Sequence, residues 1–172
     1  MKKLLLCVLC AVILVSALTS CDFGAGADSV VTVQELSITL PSDLKNVYSG
    51  SQPVSEVYRS DDYEVNIDRV DKSTIVPNEG YDFPTLEELM STYLLIFLTN
   101  NPDAKVSLTR DGDLLYMDAD TGGNGIPDTL FSVYESEKAF WIVRIEPLTE
   151  DYATVRDQCL AWAKTVTFTE TN

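Results

Sequence analysis

The sequence of 172 residues predicts an α+β fold, an antiparallel β-sheet meander flanked by helices. Three observations carry this expectation. Short segments at 35–40 and 63–68 alternate polar and apolar residues, the period of a half-buried strand. Two longer segments, near 86–98 and 150–164, place apolar residues at helical spacing. Between these helices, four further strand-like segments are joined by connections too short for a parallel crossover, which favours a meander. Helices packed on such a sheet bury the apolar side of both.

The chain opens on an expected address. Met1-Lys2-Lys3 is a short positive region, and Leu4 to Leu18 is a 15-residue apolar run broken only by Ser16. A membrane-spanning helix wants about 20 such residues, so the run has the length of a secretory signal core. It ends in Leu18-Thr19-Ser20-Cys21, which resembles the bacterial lipobox. That resemblance implies a signal peptide over 1–21, with Cys21 as the lipidated N-terminus of the mature chain. It also implies a bacterial cell membrane location facing the periplasm or the exterior, with the membrane as a partner through the N-terminal lipid. Residues 22–33, beginning "DFGAGADS", read as a flexible tether with a typical reach of about 20 Å. The single folded domain is expected at 34–170.

Within that domain, the strand at 35–40 stops at Pro41, and a weaker strand at 54–60 precedes the one at 63–68. Thr85-Leu86-Glu87-Glu88 has capping-box spacing. Behind it Leu86, Leu89, Met90, Tyr93, Leu94 and Phe97 share a face that Leu95, Ile96 and Leu98 widen, which predicts a deeply buried helix. The four middle strands fall at 105–109, 114–119, 129–134 and 140–145. Arg110-Asp111-Gly112-Asp113 reads as an Asp-Gly hairpin turn. In Phe140-Trp141-Ile142-Val143-Arg144-Ile145 both alternating sets are largely apolar, which predicts a central strand covered on both faces. The second helix follows with Thr149 as the expected N-cap, and a short strand at 166–168 closes the domain.

The order of these elements, the opening "ITLPSDL" and the ending "FWIVRIEPLTEDYATVRDQCLAWAKTVTF" resemble the Mog1/PsbP-like superfamily. The resemblance spans nearly all of the expected domain and contains no catalytic motif. It implies an α/β/α sandwich that serves as a binding or assembly module, and it transfers no functional residue. The lysine-rich segment associated with photosystem docking in that superfamily has no counterpart here.

Composition narrows the chemistry. The formal net charge is −15. Without Lys2 and Lys3 the 12 basic residues fall to 10 against 27 acidic ones, a balance of −17. So acidic a surface repels phosphate backbones, which argues against nucleic acid as a partner. The chain has no histidine, which removes Ser-His and Cys-His nucleophile pairs and the common zinc sets. Of four cysteines, Cys7 and Cys10 fall in the signal and Cys21 at its end, leaving Cys159 on an apolar helix face with Tyr152, Val155 and Trp162. The expected protein is non-catalytic, binds no cofactor, and holds an unknown extracytoplasmic protein or small ligand.

Two stretches are candidate sites. Residues 118–128, "DADTGGNGIPD", admit two readings. In the first, Asp118, Asp120, Asn124 and Asp128 supply oxygens to calcium, although a glycine takes the third ligand place and Phe131 stands where a bidentate glutamate belongs. In the second, the stretch is a metal-free hairpin loop reversing at Asn124-Gly125. Residues 71–83, "DKSTIVPNEGYDF", form an aperiodic stretch of the kind that often carries contacts. There Ile75, Val76, Tyr81 and Phe83 are the candidate apolar anchors.

Overall fold

The structure is a computed structural model that describes residues 27–51, 54–75, 85–100 and 102–169. Among these residues a seven-stranded antiparallel sheet forms the middle layer. One helix covers part of one face, and a second helix with a three-stranded sheet covers the other. The fold is the expected α+β sandwich.

The small sheet comes first in the chain. β1 (Asp28–Val33) pairs antiparallel with β2 (Leu36–Pro41). β1 lies within the stretch expected to be tether. Its valines decide the difference: Val33 is buried and Val31 packs against the core, so burial orders a segment whose composition looked too poor to fold. Any tether therefore ends by residue 27. Gln34 turns the chain at φ 51° in the left-handed region. The next residue, Glu35, anchors that turn by accepting from Arg69 Nε at 3.4 Å and Ser136 Oγ at 3.1 Å. In β2 the apolar set Leu36, Ile38 and Leu40 is wholly buried.

The large sheet runs in the order β3-β4-β5-β9-β8-β7-β6. β3 (Lys45–Ser51) is an edge strand that the sequence did not announce. It is exposed almost throughout, and its pairing with β4 (Val54–Arg59) rests on backbone hydrogen bonds rather than burial. β5 (Tyr63–Asp71) pairs with β9 (Ala139–Pro147), which pairs on its other side with β8 (Thr129–Glu135). β7 (Leu114–Ala119) and β6 (Val106–Asp111) complete the sheet. Pairing of Asp111 with Leu114 leaves Gly112 and Asp113 as the β6–β7 turn. Gly112 has φ 61° and Asp113 stays at negative φ, so the glycine occupies the first central position of a II′-like turn.

Strand alternation sends side chains into two cores. Leu114, Tyr116, Leu130, Trp141, Val143, Ile145, Val65 and Ile67 face the small sheet and α2 (Tyr152–Ala163). Leu115, Met117, Ala119, Phe131, Val133 and Ile142 face α1 (Leu86–Asn100). α1 begins with the expected capping box: Glu88 Oε2 accepts Thr85 N at 2.8 Å, and Thr85 Oγ1 accepts Glu88 N at 3.2 Å. Its burial is shallower than expected. Met90 is buried and Tyr93 and Phe97 pack on Phe131, but Leu95 is 67% exposed. Among the described residues the helix has a sheet on one side only, so the broad apolar face is not matched there by a second covering layer. α2 is capped by Asp151, which accepts Ala153 N at 3.2 Å, and not by Thr149. Thr149 Oγ1 donates instead to Asp62 Oδ1 at 2.8 Å.

α2 buries Tyr152, Val155, Cys159, Leu160, Trp162 and Ala163 against the sheet. Tyr63 meets Trp162 edge to face at 4.9 Å between ring centroids. Burial pushes the Tyr63 hydroxyl up from 10.0 to about 12, and the Cys159 thiol from 9.0 to about 12. Both groups stay neutral in the folded chain after the unfolded chain has lost its protons. This stabilisation is fully present below about pH 9 and is lost as the pH rises toward 12. The melting temperature is therefore expected to hold flat across neutral pH and to fall from about pH 9 to 12. Tyr63→Phe should lessen the decline in circular-dichroism melts, and a flat profile up to pH 12 would contradict this account.

Candidate functional site

The loop between β7 and β8 folds around its own carboxylates. The wholly buried Asp120 carboxylate accepts Asn124 N at 3.2 Å and also the Gly125 N–H. Asn124 Oδ1 accepts Ile126 N at 2.8 Å. Asp128 accepts Thr121 N and Gly122 N, each at 2.9 Å, along with the Thr121 and Thr129 hydroxyls. Asp128 N closes the loop onto Ala119 O at 2.9 Å. Two positions demand glycine for φ, Gly123 at 69° and Gly125 at 83°. At Gly122 an added Cβ would stand 3.3 Å from Asp128 Oδ2, so the hydrogen-bonded carboxylate would have to shift to admit a side chain. The reversal is thus a carboxylate-organised loop rather than a two-residue Asn-Gly turn.

Asp120, Asn124 and Asp128 are brought together, and Asp118 is not. The Asp118 side chain, on β7, accepts Tyr152 Oη at 2.5 Å and is gripped by Arg156 through Nε at 3.0 Å and Nη2 at 2.8 Å. Arg156 Nη2 also reaches Tyr116 Oη at 3.3 Å, and its guanidinium lies 5.7 Å from the Tyr116 ring centroid. Burial, with the Asp118 carboxylate beside it, holds the Tyr152 hydroxyl well above the usual phenol range. This cluster pins α2 to the sheet. Its signal was present in the sequence as Tyr152 and Arg156 four residues apart on a helix and Tyr116 and Asp118 two apart on a strand. Among the described residues no group of three or more His, Cys, Asp or Glu side chains is arranged to hold a metal.

The second candidate stretch is only partly described. After β5 ends at Asp71, residues Lys72–Thr74 form a 3₁₀ turn and Ile75 is half-buried. Val76, Tyr81 and Phe83 lie outside the described residues, as does Cys21. The described start of the stretch is held by Lys72, whose ammonium donates to Glu135 Oε1 at 2.7 Å and Ser136 O at 2.8 Å.

An open groove that sequence reasoning missed lies at one end of the sandwich, with a cavity volume of ≈ 570 Å³. Its apolar lining comes from distant parts of the chain: Leu86 of α1, Leu114 of β7, Ala163 of α2, and Val166 and Phe168 around β10 (Thr167–Phe168). Its polar lining is Asp111, Asp113, Glu135 and Lys164, with Lys164 Nζ 2.7 Å from Asp111 Oδ2. Tyr134 also lines it, with its hydroxyl donated to Ala163 O at 2.7 Å. No pattern in the sequence links these segments.

The cysteine in the described residues is buried with its thiol pushed up by burial, so it makes a poor nucleophile. Among the described residues no helix is long and apolar enough to cross a membrane.

No protein-family model matches the sequence, and no curated protein is detectably similar to it. Among solved structures the chain is similar to the solution structure of cyanobacterial PsbP (CyanoP) from Synechocystis sp. PCC 6803. The TM-score is 0.57 and the identity 20%, over 89% of this chain and 99% of that one. At this identity the likeness speaks for the fold alone: the chain has the PsbP-like α+β architecture that its order of elements suggested.

Two outcomes follow. Arg156→Leu should cost about 3 kcal/mol by leaving the Asp118 carboxylate buried without its ion-pair partner, while Asp118→Leu with Arg156→Leu together should recover much of that loss. Urea denaturation of the single and double variants checks this, and simply additive losses would contradict it. The loop should fold without metal: millimolar calcium is expected to leave the melting temperature unchanged, and Asp120→Asn to lower it in calcium-free buffer by weakening charge-assisted acceptors. A rise of several degrees with calcium, abolished by Asp120→Asn with Asp128→Asn, would be the opposite result.

Proposed function

We propose that this chain is a non-catalytic binding or assembly domain held outside the cytoplasm by a lipid on Cys21. The observation that carries the reading is the position of Leu18-Thr19-Ser20-Cys21, directly after a positively charged start and a 15-residue apolar run. Two acyl chains on a cysteine make membrane attachment durable, at about 0.8 kcal/mol per buried methylene. Ala27 O accepts Ser42 N and the first described strand begins at Asp28, so five residues, 22–26, stand between Cys21 and the described domain. Five residues reach at most about 18 Å when fully extended, so the domain works close to the bilayer. The absence of histidine and the lack of an activated nucleophile among the described residues support a role in holding a partner, and the PsbP-like fold is compatible with that role.

The test is fractionation of cells expressing the full chain with a radiolabelled fatty acid. The wild-type protein should carry label and sediment with membranes. Cys21→Ala should lose the label and either stay unprocessed or leave the membrane fraction. Identical labelling and fractionation of the two would remove the proposal's foundation.

A further inference from the structure

We propose that the groove at the end of the sandwich is the docking site for an extended segment of a partner protein, carrying an apolar side chain flanked by lysine or arginine. The inference rests on the reading of the chain as a binding domain and names where and what it binds.

Three observations point to this occupant. The first is the shape and lining. Leu114 and Ala163 are buried at the floor, and Leu86, Val166 and Phe168 are half-buried walls, so an apolar side chain entering the groove leaves water for an apolar surface. Tyr134 presents its ring there, because its hydroxyl is spent on Ala163 O at 2.7 Å. An apolar floor inside a polar rim is the usual anatomy of an energetic anchor point.

The second is charge. The rim carries the exposed carboxylates Asp111, Asp113 and Glu135 and one exposed ammonium, Lys164, already 2.7 Å from Asp111. Lys72 reaches Glu135 at 2.7 Å from outside the lining, which leaves three carboxylates against two ammonium groups. The formal charge of the whole chain, rim included, is −15. A cationic segment meets an attractive field and Asp113 at close quarters, whereas an anionic one must take Lys164 from Asp111.

The third is backbone. β10 ends the small sheet in the order β1-β2-β10, so its outer edge has no strand partner among the described residues. Thr169 N bonds inward to Glu35 O at 2.8 Å. Antiparallel alternation then turns the Phe168 N–H and C=O toward the free edge, beside the groove that its side chain lines. An extended segment can pair there while one of its side chains enters the groove, the mode of strand addition.

The test uses the full lipidated chain in zwitterionic nanodiscs, with empty nanodiscs as the blank. The probe is a fluorescein-labelled peptide, Lys-Val-Lys-Phe-Lys-Ser, compared with its counterpart in which glutamate replaces each lysine. Fluorescence anisotropy should show saturable binding of the lysine peptide only. Asp113→Lys combined with Glu135→Gln should weaken it at least tenfold. Asp28→Lys combined with Asp103→Lys, two exposed carboxylates outside the groove lining, should weaken it less than twofold. Circular dichroism confirms that both double variants stay folded. No saturable binding, equal binding of the glutamate peptide, or equal weakening by the two double variants would overturn the proposal. If the probe fails while the wild-type chain still sediments with membranes through Cys21, the groove assignment falls and the tethered reading stands. If the chain lacks a lipid yet the probe binds in the groove, the reverse holds.

Discussion

The domain depends on one strand being apolar on both faces. β9 sits between β5 and β8 and faces a different partner layer on each side. Trp141, Val143 and Ile145 enter the core beneath α2 and the small sheet, and Ile142 enters the core beneath α1. A half-polar strand at this position would leave one layer without a surface to pack on. Trp141 ties the layers further: its ring packs near Phe168 of β10 at 6.4 Å, and Arg69 lies over it at 5.6 Å. Deleting a buried tryptophan of this kind costs about 3–5 kcal/mol, a large share of a domain's net stability.

Several polar groups that the layers trap are handled locally, while Trp162 Nε1 and Arg144 Nε are buried without a hydrogen-bond partner. Asp118, Tyr152 and Arg156 form a satisfied cluster where α2 crosses β7. Glu35 receives Arg69 and Ser136 where the β1–β2 turn meets the large sheet. Both fasten one layer to another through a carboxylate with more than one donor. A carboxylate in such a place is costly unless its lone pairs are used, so these contacts fix orientation more than they add net stability. The β7–β8 loop follows the same logic within itself, with Asp120 and Asp128 taking up the backbone N–H groups that a nine-residue reversal would otherwise leave open.

The same economy bears on function. The carboxylates that looked most like ligands are occupied in holding the chain's own backbone or α2. Among the described residues the outer edge of β10 and the groove beside it are left unpaired, as are the outer edges of β1, β3 and β6. The chain has no histidine, the cysteine among the described residues is buried, and a formal charge of −15 favours cationic over anionic partners. A short lipid tether would raise the local concentration of such a domain at the membrane face.

Local pattern determined a good deal of this protein. Alternation placed β2 and β5, and strand-like segments between the helices placed β7 and β8, each within a residue or a few; the capping box placed the start of α1, and the doubly apolar run at 140–145 marked the central strand. These signals are local because periodicity and capping act over a few residues. Tertiary structure alone decided the rest. β3 is almost wholly exposed, Val47 and Tyr48 included, and exists because β4 offers it a ladder; β1 looked like linker and exists because Val31 and Val33 find a core. The separation of Asp118 from Asp120 and Asp128 came from an arginine 38 residues away in sequence. The groove joins α1, the β6–β7 turn, the end of α2 and β10, which only packing brings together. A side chain's neighbours across layers are set by the summed burial of the whole chain, and no window of sequence contains that sum.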